Sequence, residues 1–440
     1  MENSIHTFKN EDEIIKVQMI EFDDFNSLHF FNMKKDHQAF INLCNLYQNY
    51  IVKKYKEIFG TLILFTLPDD YPLNLDNNTE YGTIYSKETL LNIYFRKHIC
   101  LKNGELVFNN ERSEEIFNDL VNKDCLKIAK GKRKYLKFLP VSNKLGFISE
   151  SHKDSMLRFN SNFFVMDSFD VDSVYDVIGT NIGLCIDDGK IINPSFFDRE
   201  TFIYKKDGTF LIEKTNINDL EIIIDNKVFN KDNCHICMRP DCLFTKESVM
   251  DLIIVENEVV SIKRGGKTRI PSGGFVISLD KEIEINDRKV SYQGYNDIKF
   301  AVQVGNSILI DNKETLEFKS SFYNFLKFWK VSFPPSMYPL NFKKSKAPRM
   351  ILGTKDNKGV VLWIEGKGKF GYQNGLDSAG ASLLETVKIC KSLGLNNAIH
   401  LDGGGSAEIY YQNRKLLKVS DRDEKTLEEI ERGLSLGLFI

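Results

Sequence analysis

The apolar positions of this chain begin at helical spacing and then break into short runs. Phe40, Leu43, Cys44, Tyr47, Ile51, Tyr55 and Ile58 mark one face of an amphipathic helix that Gly60 ends. Thr61 to Leu67 reads as a strand, stopped by Pro68-Asp-Asp-Tyr-Pro72. A second helix is predicted from Ser113 to Asn122, ahead of a basic run from Lys127 to Lys137. From Asn181 onward the pattern is mostly short strands punctuated by Asp188-Gly189, Asp207-Gly208 and Asn286-Asp287. Helical spacing returns at Leu383, Leu384, Val387, Cys390 and Leu393, with Ser382 as N-cap, Glu385 at capping-box distance and Gly394 as the stop. Ala398, Ile399 and Leu401 then end a buried strand, and Glu408-Ile-Tyr-Tyr411 starts another, so the stretch between them is a strand-to-strand turn.

That turn, His400-Leu-Asp-Gly-Gly-Gly-Ser-Ala407, carries the strongest chemical signal. Three successive glycines sacrifice backbone entropy and side-chain packing, which is tolerable where φ is positive or where a ligand meets bare peptide. Free N–H groups from Gly403, Gly404, Gly405 and Ser406 beside the Asp402 carboxylate form a nest for anionic oxygens next to a base or nucleophile. A plain glycine-rich hairpin with Asp402 as turn former is the simpler alternative. Neither a P-loop nor a strand-GxGxxG-helix unit occurs.

With the segment Ser378-Ala-Gly-Ala-Ser-Leu-Leu-Glu385 before it, the turn resembles the phosphodiester glycosidase family, matching at Ser378, Gly380, Ser382, Glu385 and Leu401 to Ser406. His400 departs from the asparagine usual there. Phe159 to Phe164, Gly183 to Lys190, Ile270 to Ser278, and Ala347 to Gly353 with Val361 to Gly366 resemble further family blocks in the same order. The resemblance covers roughly residues 145–440 and leaves 1–144 as an amino-terminal mixed helix and strand region. The expected fold is α+β: that region packed against a large, mostly antiparallel twisted sheet assembly with few helices.

A sugar joined to phosphate through its anomeric carbon has a good leaving group, so the harder task for a site is holding the phosphate's charge. Arg349, after Pro348, offers a planar fork to phosphate oxygens, and its place in a matched block favours that role over a surface ion pair. Asp402 is expected as nucleophile or general base, with Glu385 as a second carboxylate or only a capping residue. Asn160, Asn162 and Ser378 join the expected substrate-binding set through the resemblance. Ser406 is cast as a hydrogen-bond donor to phosphate, and His400 as a substrate contact or a core histidine.

Composition changes this picture little. A hydrophobic content of 42% supplies a large core, and a net charge of −2 gives no bulk attraction to nucleic acid. The run Lys127 to Lys137, with Tyr135 available for stacking, is the one place where nucleic acid could be met, against a solvated hairpin face. Eight scattered cysteines do not form a disulfide framework. Cys234, Cys237 and Cys242 with His235 are candidate structural zinc ligands, set against a loop of free thiols, and the chemistry requires no other cofactor. The charged amino terminus lacks a secretion signal, so a cytoplasmic protein with an intracellular substrate is expected. The resulting reading is a hydrolase that cuts a sugar from a phosphodiester, carried on a small molecule or a glycosyl-phosphate-modified macromolecule. The alternatives are a noncatalytic module binding sugar phosphates or glycosylated nucleic acid, and a phosphodiesterase breaking the P–O bond.

Overall fold

Two-residue turns set the architecture. Asp225-Asn226, Glu256-Asn257, Asp311-Asn312 and Asp356-Asn357 all place both residues at positive φ, the backbone twist that joins antiparallel strands in register. Asp188-Gly189 does the same between Cys185–Asp187 and Lys190–Asn193. The computed structural model describes all residues except 11, 34–39, 42–43, 45–59, 69, 76–85, 132, 142–144, 167–169, 172, 197, 240–241, 316–344, 369–370 and 424. Most of the helix read from Phe40 to Ile58 lies outside the described residues.

The molecule is mostly β, which corrects the α+β expectation of one large twisted assembly. Its described strands fall into eight separate sheets, and three α-helices among the described residues accompany them: Lys87–His98, Glu111–Asn122 and Leu383–Ser392. Five sheets of three to seven strands make a propeller-like ring. The physical reason is turn frequency. Strands of two to ten residues separated by tight turns close small sheets, and each sheet buries one face against its neighbours instead of extending a single surface.

The seven-stranded sheet runs Glu2–Asn10, Glu13–Phe22, Lys358–Ile364, Arg349–Lys355, Asn397–His400, Ser307–Ile310 and Lys313–Glu314, with every neighbouring pair antiparallel. Its centre is apolar on both faces: Met350, Ile351, Leu352 and Val361 to Ile364 are all fully buried. Leu383, Val387, Ile389 and Cys390 of the Leu383–Ser392 helix cover one face, packing with Ile15, Val17, Met19, Ile351 and Leu362. A four-stranded sheet of Ile409–Tyr411, Leu157–Asn160, Leu436–Phe439 and His29–Asn32 lies next in the chain's path after the glycine turn. Residues 2–32 thus pair with strands near the carboxyl end.

Residues 61–140 form a smaller unit: a three-stranded sheet with the parallel pair Thr61–Phe65 and Leu136–Pro140, two helices, and a core of Ile63, Phe65, Leu91, Phe95, Phe117 and Phe138. The helix there begins at Glu111, with the Asn110 side chain accepting from the Ser113 N–H. No described helix is long and apolar enough to cross a membrane.

Candidate active site

The glycine turn joins two sheets. Asn397–His400 belongs to the seven-stranded sheet and Ile409–Tyr411 to the four-stranded one, and Asp402 to Ala407 cross between them. Both sides hold the crossing. The Leu401 and Gly404 N–H groups donate to the carbonyls of Met350 (2.8 Å) and Pro348 (3.0 Å), and the Asp402 N–H donates to Ser161 (2.9 Å). Asn160 bridges the two ends: its Nδ2 donates to the Asp402 carbonyl at 2.7 Å, and its Oδ1 accepts from the Glu408 N–H at 3.2 Å. Its amide therefore fixes the turn, using the contacts that a substrate would otherwise need.

The glycines are required for separate reasons. Gly404 sits at φ +62, and a side chain on Gly405 would collide with Arg432 and Asp421. Gly404 to Ser406 form a 3₁₀ turn, in which the Ser406 N–H donates to the Gly403 carbonyl (3.3 Å) and the Ala407 N–H to Gly404 (3.2 Å). That geometry occupies much of the expected nest, because a tight turn satisfies its own N–H groups. The Gly403 N–H faces the Asp402 carboxylate.

Asp402 is 7% exposed. Burial pushes its carboxyl up to about 7, against the opposing pull of the Ser406 hydroxyl, the Arg432 charge and the Gly403 N–H. Arg432 is bidentate on Asp421 Oδ2, at 3.0 Å from Nε and 2.7 Å from Nη2, and its Nη1 reaches Ser406 Oγ at 3.3 Å. The guanidinium thus orients the hydroxyl that faces Asp402.

Arg349 is fully buried. Its Nε donates to the Ala381 carbonyl at 2.9 Å, its Nη2 to Ser345 at 2.7 Å, and its Nη1 lies 3.5 Å from His400 Nε2. Burial pulls its pKa down to about 9, with Glu385 opposing. His400 is held well below the ordinary histidine range, first by burial and then by Arg349 and Arg199, so it is a neutral core imidazole at neutral pH. Glu385 caps its helix: its Oε2 accepts from the Ser382 N–H (2.8 Å) and hydroxyl (2.7 Å), and Lys346 lies 3.2 Å from Oε1. Burial would raise this carboxyl, but the Ser382 bonds and Lys346 outweigh it and hold it low. Asn162 and Ser378 are buried as well, Asn162 accepting from Ser161 Oγ at 2.5 Å and Ser378 donating to the Glu365 carbonyl at 2.5 Å. The structure therefore brings Asp402, Ser406 and the three glycines together with Asn160, while Arg349, His400 and Glu385 stand behind the turn as a supporting set.

A family model described as phosphodiester glycosidase matches residues 218–440, just over half of the chain, and takes in Arg349, Glu385, the glycine turn and Arg432. The chain belongs to the phosphodiester glycosidase family. Similar solved structures include a hypothetical protein from Synechocystis, 11% identical over 99% of this chain and 61% of that one, with a TM-score of 0.42. The chain thus spans less than two thirds of that protein's length. The zebrafish N-acetylglucosamine-1-phosphodiester α-N-acetylglucosaminidase catalytic domain, auto-inhibited by its pro-peptide, is 12% identical over 100% of this chain and 82% of that one, with a TM-score of 0.42. A Burkholderia pseudomallei protein described as exported is 10% identical over 100% and 96%, with a TM-score of 0.43. Likeness at this level transfers neither architecture nor activity. No curated protein sequence matches the chain.

The phosphodiester glycosidase segment does not complete its own site. Asn160 and Ser161, which hold the turn, lie before it in sequence. Arg432 and Asp421 lie inside it but carry no sequence signal, since Arg432 is a lone arginine 26 residues beyond the serine it contacts. Glu408 was equally silent. It is 1% exposed with neither carboxyl oxygen bonded, and burial together with the charge of Glu431 raises it well above the ordinary range, Lys415 and Arg432 opposing and Glu429 adding to it. A carboxyl raised on folding contributes its stability below its unfolded value, 4.5, and loses it as pH rises toward the folded value. Glu408→Gln is therefore expected to gain melting temperature relative to wild type as pH goes from 4 to 8; a constant difference across that range in thermal melts would show that Glu408 does not titrate this way.

The cysteine thiols make local contacts. Cys234 Sγ lies 3.1 Å from the Asn230 carbonyl and Cys242 Sγ 4.0 Å from that of Met238. Cys237, hydrogen-bonded to Cys242 and then Ser278 against the effect of burial, is lowered to about 7. Among the described residues no group of three or more His, Cys, Asp or Glu side chains is placed to hold a metal ion.

Proposed function

We propose that this chain hydrolyses the bond between an anomeric carbon and a phosphodiester oxygen, releasing a sugar and a phosphomonoester. The observation that carries the reading is the Asp402 carboxyl of a phosphodiester glycosidase family member, buried at the glycine turn and pushed up to about 7. A carboxyl at that value suits a general base, because it is partly ionised near neutral pH and still takes a proton readily. Asp402 accepts a proton from water, the water oxygen bonds to the anomeric carbon, and the carbon–oxygen bond to phosphate breaks with its electron pair leaving on the phosphomonoester. Ser406, oriented by Arg432, is the hydroxyl donor beside that charge, and Asn160 and Arg349 are positioning residues for the turn.

Incubation with a panel of sugar phosphodiesters in ¹⁸O-labelled water tests the reading. The label is expected on the released sugar. Label on the phosphate would assign P–O cleavage, and binding without release across the panel would assign a noncatalytic module.

A further inference from the structure

A cavity of about 260 Å³ lies beside the glycine turn and takes no part in the chemistry above. Gly366 on its wall packs against Pro348, the residue whose carbonyl accepts the Gly404 N–H and lies against Gly403. Gly366 on the cavity wall and Gly403 and Gly404 of the turn thus all lie against Pro348.

Three cations line it: Lys367, Lys418 and Arg422. Arg422 directs Nη1 to the carbonyls of Val419 and Asp421. Two carboxylates also line the cavity, and each has an oxygen engaged: Glu365 Oε1 accepts the Lys418 N–H at 2.8 Å, and Asp377 Oδ2 accepts the Gln373 N–H at 2.8 Å. Lys16 stands 4.0 Å from the other oxygen of Glu365. The lining thus carries three cations against two carboxylates.

The rim holds one strained residue. Leu427 holds φ at +60 and is 47% exposed. A bulky residue in the left-handed region is strained, and such strain collects at ligand clamps. Leu427 packs toward Gly371, another lining residue. Next to Gly371, the Tyr372 ring carries the Lys367 ammonium 5.2 Å from its centroid.

We infer that this cavity is an anion subsite that takes a second phosphate on the aglycone side, so that the preferred substrate carries its sugar on a diphosphate. The assignment of a substrate rests on the hydrolase reading above; the anion site itself does not. A second phosphate meets the Lys367 ammonium and the Arg422 guanidinium on the cavity lining, a charged contact that a single-phosphate diester does not bring to it.

Calorimetric titration of the full chain with inorganic pyrophosphate tests the site. Wild type is expected to bind saturably. Lys367→Gln, an exposed position that leaves the fold intact, and Arg422→Gln are each expected to weaken binding at least fivefold, and the double variant at least twentyfold. Absence of pyrophosphate binding to wild type, or unchanged binding by the double variant, overturns the anion site. Retained cavity-dependent binding with no sugar release from any diester would instead remove the hydrolase reading and leave the anion site standing. If single-phosphate and diphosphate diesters are hydrolysed with equal kcat/KM, the substrate assignment fails.

Discussion

Asp402→Asn is expected to lose turnover of a sugar phosphodiester by a factor of roughly 10²–10⁴ and to become more stable at pH 8. The first effect is the usual contribution of a positioned general base. The second follows from its burial. In the unfolded chain the carboxyl titrates near 3.8 and in the folded chain near 7, so its stabilising contribution is complete below 3.8 and is lost as pH rises through 7. That interval corresponds to about 4 kcal/mol. Asparagine removes the charge while its Oδ1 still accepts from Ser406 and Gly403; after the cost of burying its amide N–H groups is discounted, the expected gain at pH 8 is roughly 1–3 kcal/mol. At pH 4 the advantage should vanish, because the folded wild-type carboxyl is then protonated. Denaturant unfolding at the two pH values, alongside kcat, checks both halves. A variant less stable than wild type at pH 8 would mean that Asp402 is held as a well-solvated or well-paired carboxylate.

Arg349→Met is expected to destabilise the protein by about 3 kcal/mol, the order seen when a buried charged group and its hydrogen bonds are broken. The carbonyls of Ala381 and Ser345 lose their donor, and the segments before and after the Arg349–Lys355 strand lose their strap. The neighbouring imidazole supplies a second readout. Arg349 is one of the charges that depress His400, so the variant should show a His400 pKa higher than wild type by NMR. Loss of kcat/KM should follow loss of folded protein. A collapse of kcat/KM with unchanged stability and an unmoved His400 would restore Arg349 as a direct phosphate ligand, the role its sequence motif suggests.

These two residues show what was legible in the chain. The Leu383–Ser392 helix was readable because its signals are local: an N-cap, a capping box and a glycine stop act within a few residues of one another. The glycine turn was readable for the same reason, and its carboxyl carries the proposed chemistry. Arg349 shows the limit. Its motif marks it as special, but whether a guanidinium faces a ligand or the backbone of two neighbouring segments depends on strand order. Asn160 is similar: the amide was visible, while the Glu408 N–H it accepts from comes from 248 residues away. Residues 2–22 were not anticipated as part of the site's sheet, because which strand they pair with is a tertiary choice that alternation within them does not encode. The same applies to the fold class. Turn chemistry predicts many short strands, but their division among eight sheets is set by packing. Arg432 lay beyond reach altogether, since a lone arginine has no spacing to read.

The pH dependence of kcat/KM for wild-type protein on a hydrolysable sugar phosphodiester tests the central claim most directly. With Asp402 acting in its ionised form, kcat/KM should be level at alkaline pH and fall about tenfold per pH unit below a break near 7, where the buried carboxyl titrates. A profile that stays level down to pH 5 would contradict it, because an ordinary carboxylate, or none, would then be doing the chemistry.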